Sequence, residues 1–163
     1  MRRPLAKVGV AFLVGTLLAV VAGVGPASAV NVRYRAAKSC TVNGKTFRAD
    51  IHTYGKPTPA GAPAYTEVQL WGYYFESGAG PEHVEAVKMV WRDGNWQWAG
   101  PLGYVTNPAN DGEWHQGPRV GVASQEIGYI TPTMPTAILV RGWLNGFDYC
   151  HVILRPYDLY WIG

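Results

Sequence analysis

The sequence predicts a single-domain, all-β protein: an antiparallel β-sandwich, or as the alternative a β-barrel, with one long-range disulfide. Short runs rich in β-branched and aromatic residues alternate with clusters of Gly, Pro, Asn and Asp, and no useful stretch has the apolar spacing of a helix. The two cysteines, Cys40 and Cys150, lie near the two ends of the predicted domain. About seven to nine short strands at this density of turns are typical of a sandwich or a barrel.

Residues 1–29 have the pattern of a cleavable secretory signal. Three basic residues precede an apolar run over residues 8–24, and residues 27–29 supply the small side chains that a signal peptidase reads. We therefore expect residues 1–29 to be removed and residues 30–163 to form one secreted, extracellular domain. The alternative is an uncleaved membrane anchor, for which the apolar run is at the short limit of a spanning helix.

The predicted secreted domain has a balanced charge. Three of the 14 basic residues lie in the signal, which leaves 11 basic residues against 11 acidic ones. The domain contains no run of Lys or Arg, so we expect neither nucleic acid nor, after signal cleavage, a membrane surface as a partner. We expect the domain to be a monomer.

The strands and hairpins can be assigned from turn residues and from alternation along the chain. Asn43-Gly44 suits a type I′ turn and predicts a first hairpin, and Asp93-Gly94 predicts a second. Residues 102–118 are rich in Pro, Gly and Asn and are predicted to be irregular. The predicted β-segments are, in chain order, 40–54, 65–75, 84–98, 119–123, 127–131, 137–155 and 157–162.

Cys40 and Cys150 are expected to form a disulfide because the predicted compartment is oxidising. The bond would close a loop of about 110 residues, for which the chain-entropy model gives on the order of 4–5 kcal/mol. It predicts that the first strand and the last hairpin are neighbours or face each other. With a two-residue turn at Asn145-Gly146, the favoured register, Cys150 points to the outer face. A longer loop would shift the pairing by one and place Cys150 beside Val140.

The second hairpin places an aromatic cluster on one face. With a two-residue turn, Trp91 opposes Trp96 and Met89 opposes Trp98, so the four side chains lie together. The cluster is either part of the core or an exposed platform on which sugar rings stack.

Trp114 lies in the irregular segment beside His115, and a tryptophan in a loop is difficult to assign to a sheet core. It is the better single candidate for an exposed contact residue. The alternative is a loop anchor that closes one end of the sandwich.

The leading hypothesis is a secreted, non-catalytic binding module that contacts a polysaccharide or cell-envelope glycan. Its tentative binding residues are Trp91, Trp96, Trp98, Trp114 and His115. One alternative is a secreted protein-binding or inhibitor domain with a secreted protein as its partner, which the Pro-rich segment 131–136 would contact. Another is a small hydrolase centred on Asp111, Glu113 and His115.

The motifs of common catalytic and metal sites are missing from the sequence. It contains no G-x-S-x-G, no H-E-x-x-H and no complete EF-hand loop, although Asn110, Asp111 and Glu113 leave a looser calcium site as a minor alternative. Asp50 and His52 lie on the polar face of one strand and are expected to be a solvent-exposed pair. We predict no catalytic residue, no metal site and no cofactor.

Overall fold

The computed structural model describes residues 32–118, 125–144 and 148–163, and within these ranges nearly every segment is a β-strand. Two single turns of 3-10 helix, Pro59–Gly61 and Pro156–Asp158, are the helical segments of the described chain. Ten strands are present in these ranges: β1 (Tyr34–Val42), β2 (Lys45–Thr53), β3 (Ala64–Phe75), β4 (Pro81–Arg92), β5 (Asn95–Thr106), β6 (Trp114–Gln116), β7 (Glu126–Thr131), β8 (Met134–Leu144), β9 (Asp148–Leu154) and β10 (Tyr160–Trp161).

Hydrogen bonds join these strands into one open, antiparallel sheet. The main path is β10-β1-β2-β3-β7-β8-β4-β5, with β6 paired to β3 and β9 paired to β8. The predicted all-β antiparallel class is therefore confirmed. The pairing does not distinguish the predicted sandwich from its barrel alternative.

The sheet has two parts that are joined through β7. The first part comprises β10, β1, β2, β3 and β6, and the second comprises β9, β8, β4 and β5. The beginning of β3 pairs with β7, and the rest of β3 pairs with β2. In the same way β8 begins beside β7 and then runs between β4 and β9. Two long strands thus carry the chain from one part of the sheet to the other.

The core lies between these two parts. Phe47 of β2 and Phe75 of β3 are fully buried, with ring centroids 4.9 Å apart. A Cβ atom at Gly142 of β8 would lie 2.8 to 2.9 Å from both rings, so the absence of a side chain at this position lets β8 approach them. Gly103 of β5 does the same for the buried indole of Trp71, which a Cβ atom there would meet at 2.5 Å. Close packing of this kind leaves no room for added volume.

The predicted disulfide is present between Cys40 of β1 and Cys150 of β9, with Cα atoms 6.0 Å apart. The two strands lie against each other, and Lys38 Nζ donates a hydrogen bond of 2.9 Å to the carbonyl oxygen of Ile153. This confirms the prediction that the first strand and the last hairpin are neighbours.

The register favoured for the last hairpin, with a two-residue turn at Asn145-Gly146, was wrong. Gly142 pairs with Cys150, and Leu144 pairs with Asp148, which leaves three residues between the strands instead of two. Those residues, 145–147, lie outside the described ranges. Because side chains alternate along a strand, the shift of one residue turns Cys150 inward. Cys150 is accordingly only 5% exposed.

The other two predicted hairpins have the expected turns. Asn43 and Gly44 have φ angles of 51° and 72°, and Asp93 and Gly94 have 51° and 79°, as a type I′ turn requires. The segment 102–118 was predicted to be irregular, but β5 extends to Thr106 and β6 lies within the segment. The predicted signal 1–29 and the predicted strand 119–123 are outside the described residues.

Candidate binding site

The five tentative binding residues lie in two separate places. Trp91, Trp96 and Trp98 belong to the β4–β5 hairpin in the second part of the sheet. Trp114 and His115 belong to β6, which pairs with β3 in the first part. The structure therefore does not combine the five residues into a single site.

The hairpin tryptophans lie outside the core. The registers Trp91 to Trp96 and Met89 to Trp98 are as predicted, and Trp98 is 67% exposed. Trp91 and Trp96 are half-buried, with ring centroids 5.4 Å apart and planes inclined by 67°. This edge-to-face contact does not make a coplanar platform. The guanidinium of Arg155 lies 5.8 Å from the ring centroid of Trp96.

A short strand, rather than a loop, holds Trp114. Backbone pairing places Trp114 opposite Tyr74 of β3 and Gln116 opposite Gly72. The guanidinium of Arg35 lies 4.9 Å from the indole centroid, and the ring of Tyr74 lies 6.1 Å from it. The indole remains 41% exposed. Trp114 is thus an oriented aromatic side chain with free surface.

Trp114 borders an open cavity of about 330 Å³ on the outer face of the first part of the sheet. We call it the Trp114 cavity. Alternation along the strands explains its polar lining, because Asp50 points away from the core while its neighbours Ala49 and Ile51 point into it. The polar residues that line the cavity include Arg35, Asp50, His52, His115 and Gln116, and the ring of His115 stacks on Tyr73, on the opposite face of the sheet from Asp50.

A buried carboxylate organises the floor of the Trp114 cavity. Asp50 is 4% exposed. Its Oδ2 accepts a hydrogen bond of 2.8 Å from Nε of Arg35 and lies 2.7 Å from Nη2 of the same guanidinium. Nε2 of His52 lies 3.0 Å from the same oxygen. The prediction of a solvent-exposed Asp50–His52 pair was therefore wrong, because Arg35 and the neighbouring strands cover the carboxylate. The buried Nδ1 of His52 has no hydrogen-bond partner among the described residues.

His115 is held from two sides. Its Nε2 lies 2.9 Å from Oδ1 of Asp111, and its ring stacks on Tyr73 with centroids 5.7 Å apart. The backbone N–H of Glu113 donates a 3.0 Å hydrogen bond to the same Oδ1. The bond with His115, followed by that from Glu113, lowers the pKa of Asp111. Of the predicted hydrolase residues, Asp111 and His115 interact through their side chains, whereas Glu113 contributes its backbone.

Sequence reasoning missed the residues that complete the Trp114 cavity. Arg35 precedes a predicted segment that began at Cys40, and β1 in fact begins at Tyr34. Gln116 was in the segment predicted to be irregular. The usable signal was the spacing of Asp50 and His52, which places both side chains on one face of β2. The partner of that pair, on a neighbouring strand, follows only from strand pairing.

A second aromatic group, also missed, lies on the outer face of the second part of the sheet. His83 stacks on Trp143 with centroids 5.1 Å apart, Trp143 lies 4.9 Å from Tyr149, and His83 lies 5.2 Å from Tyr104. The rings stand side by side across four strands, and Tyr104 and Tyr149, at the two ends of this cross-strand ladder, are 46% and 48% exposed. The ladder is thus a second exposed aromatic surface.

Neither a metal site nor a membrane span is evident in the described ranges. They contain no group of three or more His, Cys, Asp or Glu side chains that could hold a metal ion. No helix in those ranges is long and apolar enough to cross a membrane. Comparisons of the chain with protein-family models, with curated proteins and with solved structures found no match.

Proposed function

We propose that this protein is a secreted, non-catalytic binding module that holds a polysaccharide or cell-envelope glycan in the Trp114 cavity. The observation that carries the proposal is an exposed indole beside an open cavity with a polar floor. Sugar rings have apolar C–H faces that pack on indoles, and their hydroxyl groups bond to planar polar side chains. The secretory pattern of residues 1–29 and the Cys40–Cys150 disulfide support secretion.

The aromatic surface is organised before a ligand arrives. Arg35 contacts the indole of Trp114 and is itself held by Asp50. An indole that is already oriented loses little conformational freedom on binding, which favours affinity. The exposed part of the Trp114 ring is then the surface on which a sugar packs.

The polar groups of the cavity fit hydroxyl groups. The amide of Gln116, an exposed residue, offers both donors and an acceptor. A sugar hydroxyl both donates and accepts, so it can bond to either end of this amide. Gln116 accounts for orientation of the ligand, and Trp114 accounts for most of the contact area.

The number of carboxylates that line the Trp114 cavity favours glycan binding over glycan hydrolysis. Glycoside hydrolysis uses a pair of carboxyl groups that flank the scissile bond. Asp50 is the one carboxylate among the described residues that line the Trp114 cavity, and it is engaged by Arg35 and His52. Nothing in this arrangement supplies a second acid at the ligand.

Tryptophan substitutions test the proposal. We expect Trp114→Ala to weaken binding at least about tenfold, measured by isothermal titration calorimetry against a panel of neutral and acidic glycans. Trp161→Ala removes an indole that is also exposed, on β10, and should leave the affinity unchanged.

Trp98→Ala tests the hairpin as the alternative site. Loss of binding in this variant, with full binding by Trp114→Ala, would move the site to the β4–β5 hairpin. Failure of the unaltered protein to bind any glycan of the panel would contradict the proposal as a whole.

A second candidate function, binding of another secreted protein, is favoured by one observation. Trp91, Trp96, Arg155 and Tyr157 line a cavity of about 250 Å³ together with Thr133, from the turn between β7 and β8, and Pro135, near the start of β8. Tryptophan, tyrosine and arginine are the residue types that dominate the energetics of protein interfaces. Retention of full partner binding by a Trp96→Ala variant would contradict this candidate.

A further inference from the structure

We infer that the glycan bound in the Trp114 cavity carries an acidic group, a carboxylate or a sulfate, which Arg48 recognises. The inference rests on the proposed glycan-binding function and specifies its ligand class. It follows from a second cavity, from the balance of charge around it, and from the position of one guanidinium group.

The second cavity adjoins the first on the same face of the sheet. It has a volume of about 340 Å³ and is lined by Arg35, Lys38, Ser39, Arg48 and Trp114, with Ala37 between them. Arg35 and Trp114 border both cavities. A glycan that packs on Trp114 and extends along this face of the sheet therefore reaches the cavity that Arg48 lines.

Of the three basic residues that line the second cavity, two have their charges paired with carboxylates. Arg35 pairs with Asp50 at 2.7 Å, and Lys38 Nζ lies 2.6 Å from the carboxylate of Asp158. Arg48 makes no ion pair with any described residue. The lining of this cavity contains no carboxylate, so the charge of Arg48 is left for a bound anion.

The carboxylate of Glu76 does not occupy the anion position at Arg48. Its charge interacts with that of Arg48. However, its Oε2 accepts a 3.0 Å hydrogen bond from the backbone N–H of Thr46, and its Oε1 lies 3.9 Å from Nζ of Lys45. The Glu76 carboxylate is thus engaged elsewhere, outside the lining of the cavity.

The guanidinium of Arg48 lies over the ring of Tyr74, 5.0 Å from the centroid. A cation–π contact is an attraction of the charge to the ring and not an N–H···O hydrogen bond, so it leaves N–H donors of the guanidinium for an anion. A carboxylate or a sulfate accepts two such donors at once. Arg48 and Trp114 both contact Tyr74, so the anion site and the indole are held by the same side chain.

Paired probes that differ only in charge test the inference. We would titrate the protein, as processed by a secreting host, with oligogalacturonides and their methyl esters, and with sulfated and unsulfated dextran oligosaccharides. We expect at least one acidic probe to bind about tenfold more tightly than its neutral counterpart at low salt. The difference should shrink as the ionic strength rises. The pair that shows the preference identifies carboxylate or sulfate as the group.

The variant Arg48→Gln should abolish the preference for the acidic probe, and the matched variant Arg92→Gln, at the exposed end of β4, should retain it. A preference that survives Arg48→Gln, or equal affinity for charged and neutral probes, would overturn the inference while glycan binding stands. Binding to neutral glycans of the wider panel but to none of the four probes would overturn it as well. Binding to no glycan at all would remove the proposed function too.

Discussion

Asp50 is the residue on which the candidate site most depends. It is buried, it holds Arg35 and contacts His52, and through Arg35 it positions the indole of Trp114. A buried carboxylate is costly unless it is paired and hydrogen-bonded, and these contacts provide the compensation. The neighbouring residue of β3 is Gly72, which leaves space for the carboxylate.

The variant Gly72→Ala should therefore damage the Trp114 cavity. The added Cβ would lie 2.5 Å from Oδ1 of Asp50 and 3.2 Å from the carbonyl oxygen of His115. We expect a loss of about 1–3 kcal/mol in the free energy of unfolding, measured by denaturant titration, and weaker glycan binding. Gly61→Ala, where the added atom meets only ordinary contacts at 3.6 and 3.8 Å, is the control. Equal stability of the two variants would contradict the packing argument.

The pKa of Asp111 gives a second test at this scale. His115 and the backbone of Glu113 hold it below the ordinary value of 3.8. A pKa that is lower in the folded state stabilises the fold above the unfolded-state pKa, and this contribution is lost as the pH falls through the lowered value. In His115→Ala we expect the pKa of Asp111, followed by carbon-detected NMR, to rise toward 3.8.

Glu76 is the internal control in that titration, because its pKa is lowered chiefly by the backbone of Thr46 and should not respond to His115. An unchanged pKa of Asp111 in the variant would show that the hydrogen bond with His115 is not its cause.

At the scale of the strands, the cross-strand ladder of rings stabilises the outer face of β5, β4, β8 and β9. Its side chains contact one another outside the core. Trp143 is its centre, since it contacts His83, Tyr149 and the guanidinium of Arg141. Cross-strand aromatic pairs stabilise sheets beyond the area they bury. The ladder therefore has a structural explanation that needs no ligand.

The variant Trp143→Ala should lower the free energy of unfolding by about 2–3 kcal/mol, because two aromatic pairs and a cation–π contact are lost together. Chemical denaturation measures the change. Trp161→Ala, which removes an exposed indole with one edge-to-face contact to Tyr34, should cost less than about 1 kcal/mol. Similar losses in the two variants would contradict a stabilising role for the ladder.

Across the whole molecule, the disulfide ties together strands that are distant in the chain. Cys40 and Cys150 are separated by 110 residues, and they join β1 to the hairpin that ends the second part of the sheet. The same two parts are packed together through Phe47, Phe75 and Gly142. The covalent bond and the core therefore constrain the same contact.

Replacing both cysteines with alanine should lower the free energy of unfolding by about 4–5 kcal/mol, because the unfolded chain regains the freedom of a long loop. Equilibrium unfolding of the variant and of the oxidised protein measures the difference. A loss below about 1 kcal/mol would show that the core alone sets the stability.

The sequence by itself determined the strand-rich class, the two hairpins at Asn43-Gly44 and Asp93-Gly94, and the pairing of the cysteines. These features depend on local turn chemistry, on alternation, and on there being two cysteines. Tertiary structure alone decided the register that turns Cys150 inward, and it brought Arg35, Asp50 and Trp114 together. Those outcomes depend on which face of each strand is buried and on which distant strands become neighbours, and that is set by packing across the whole sheet.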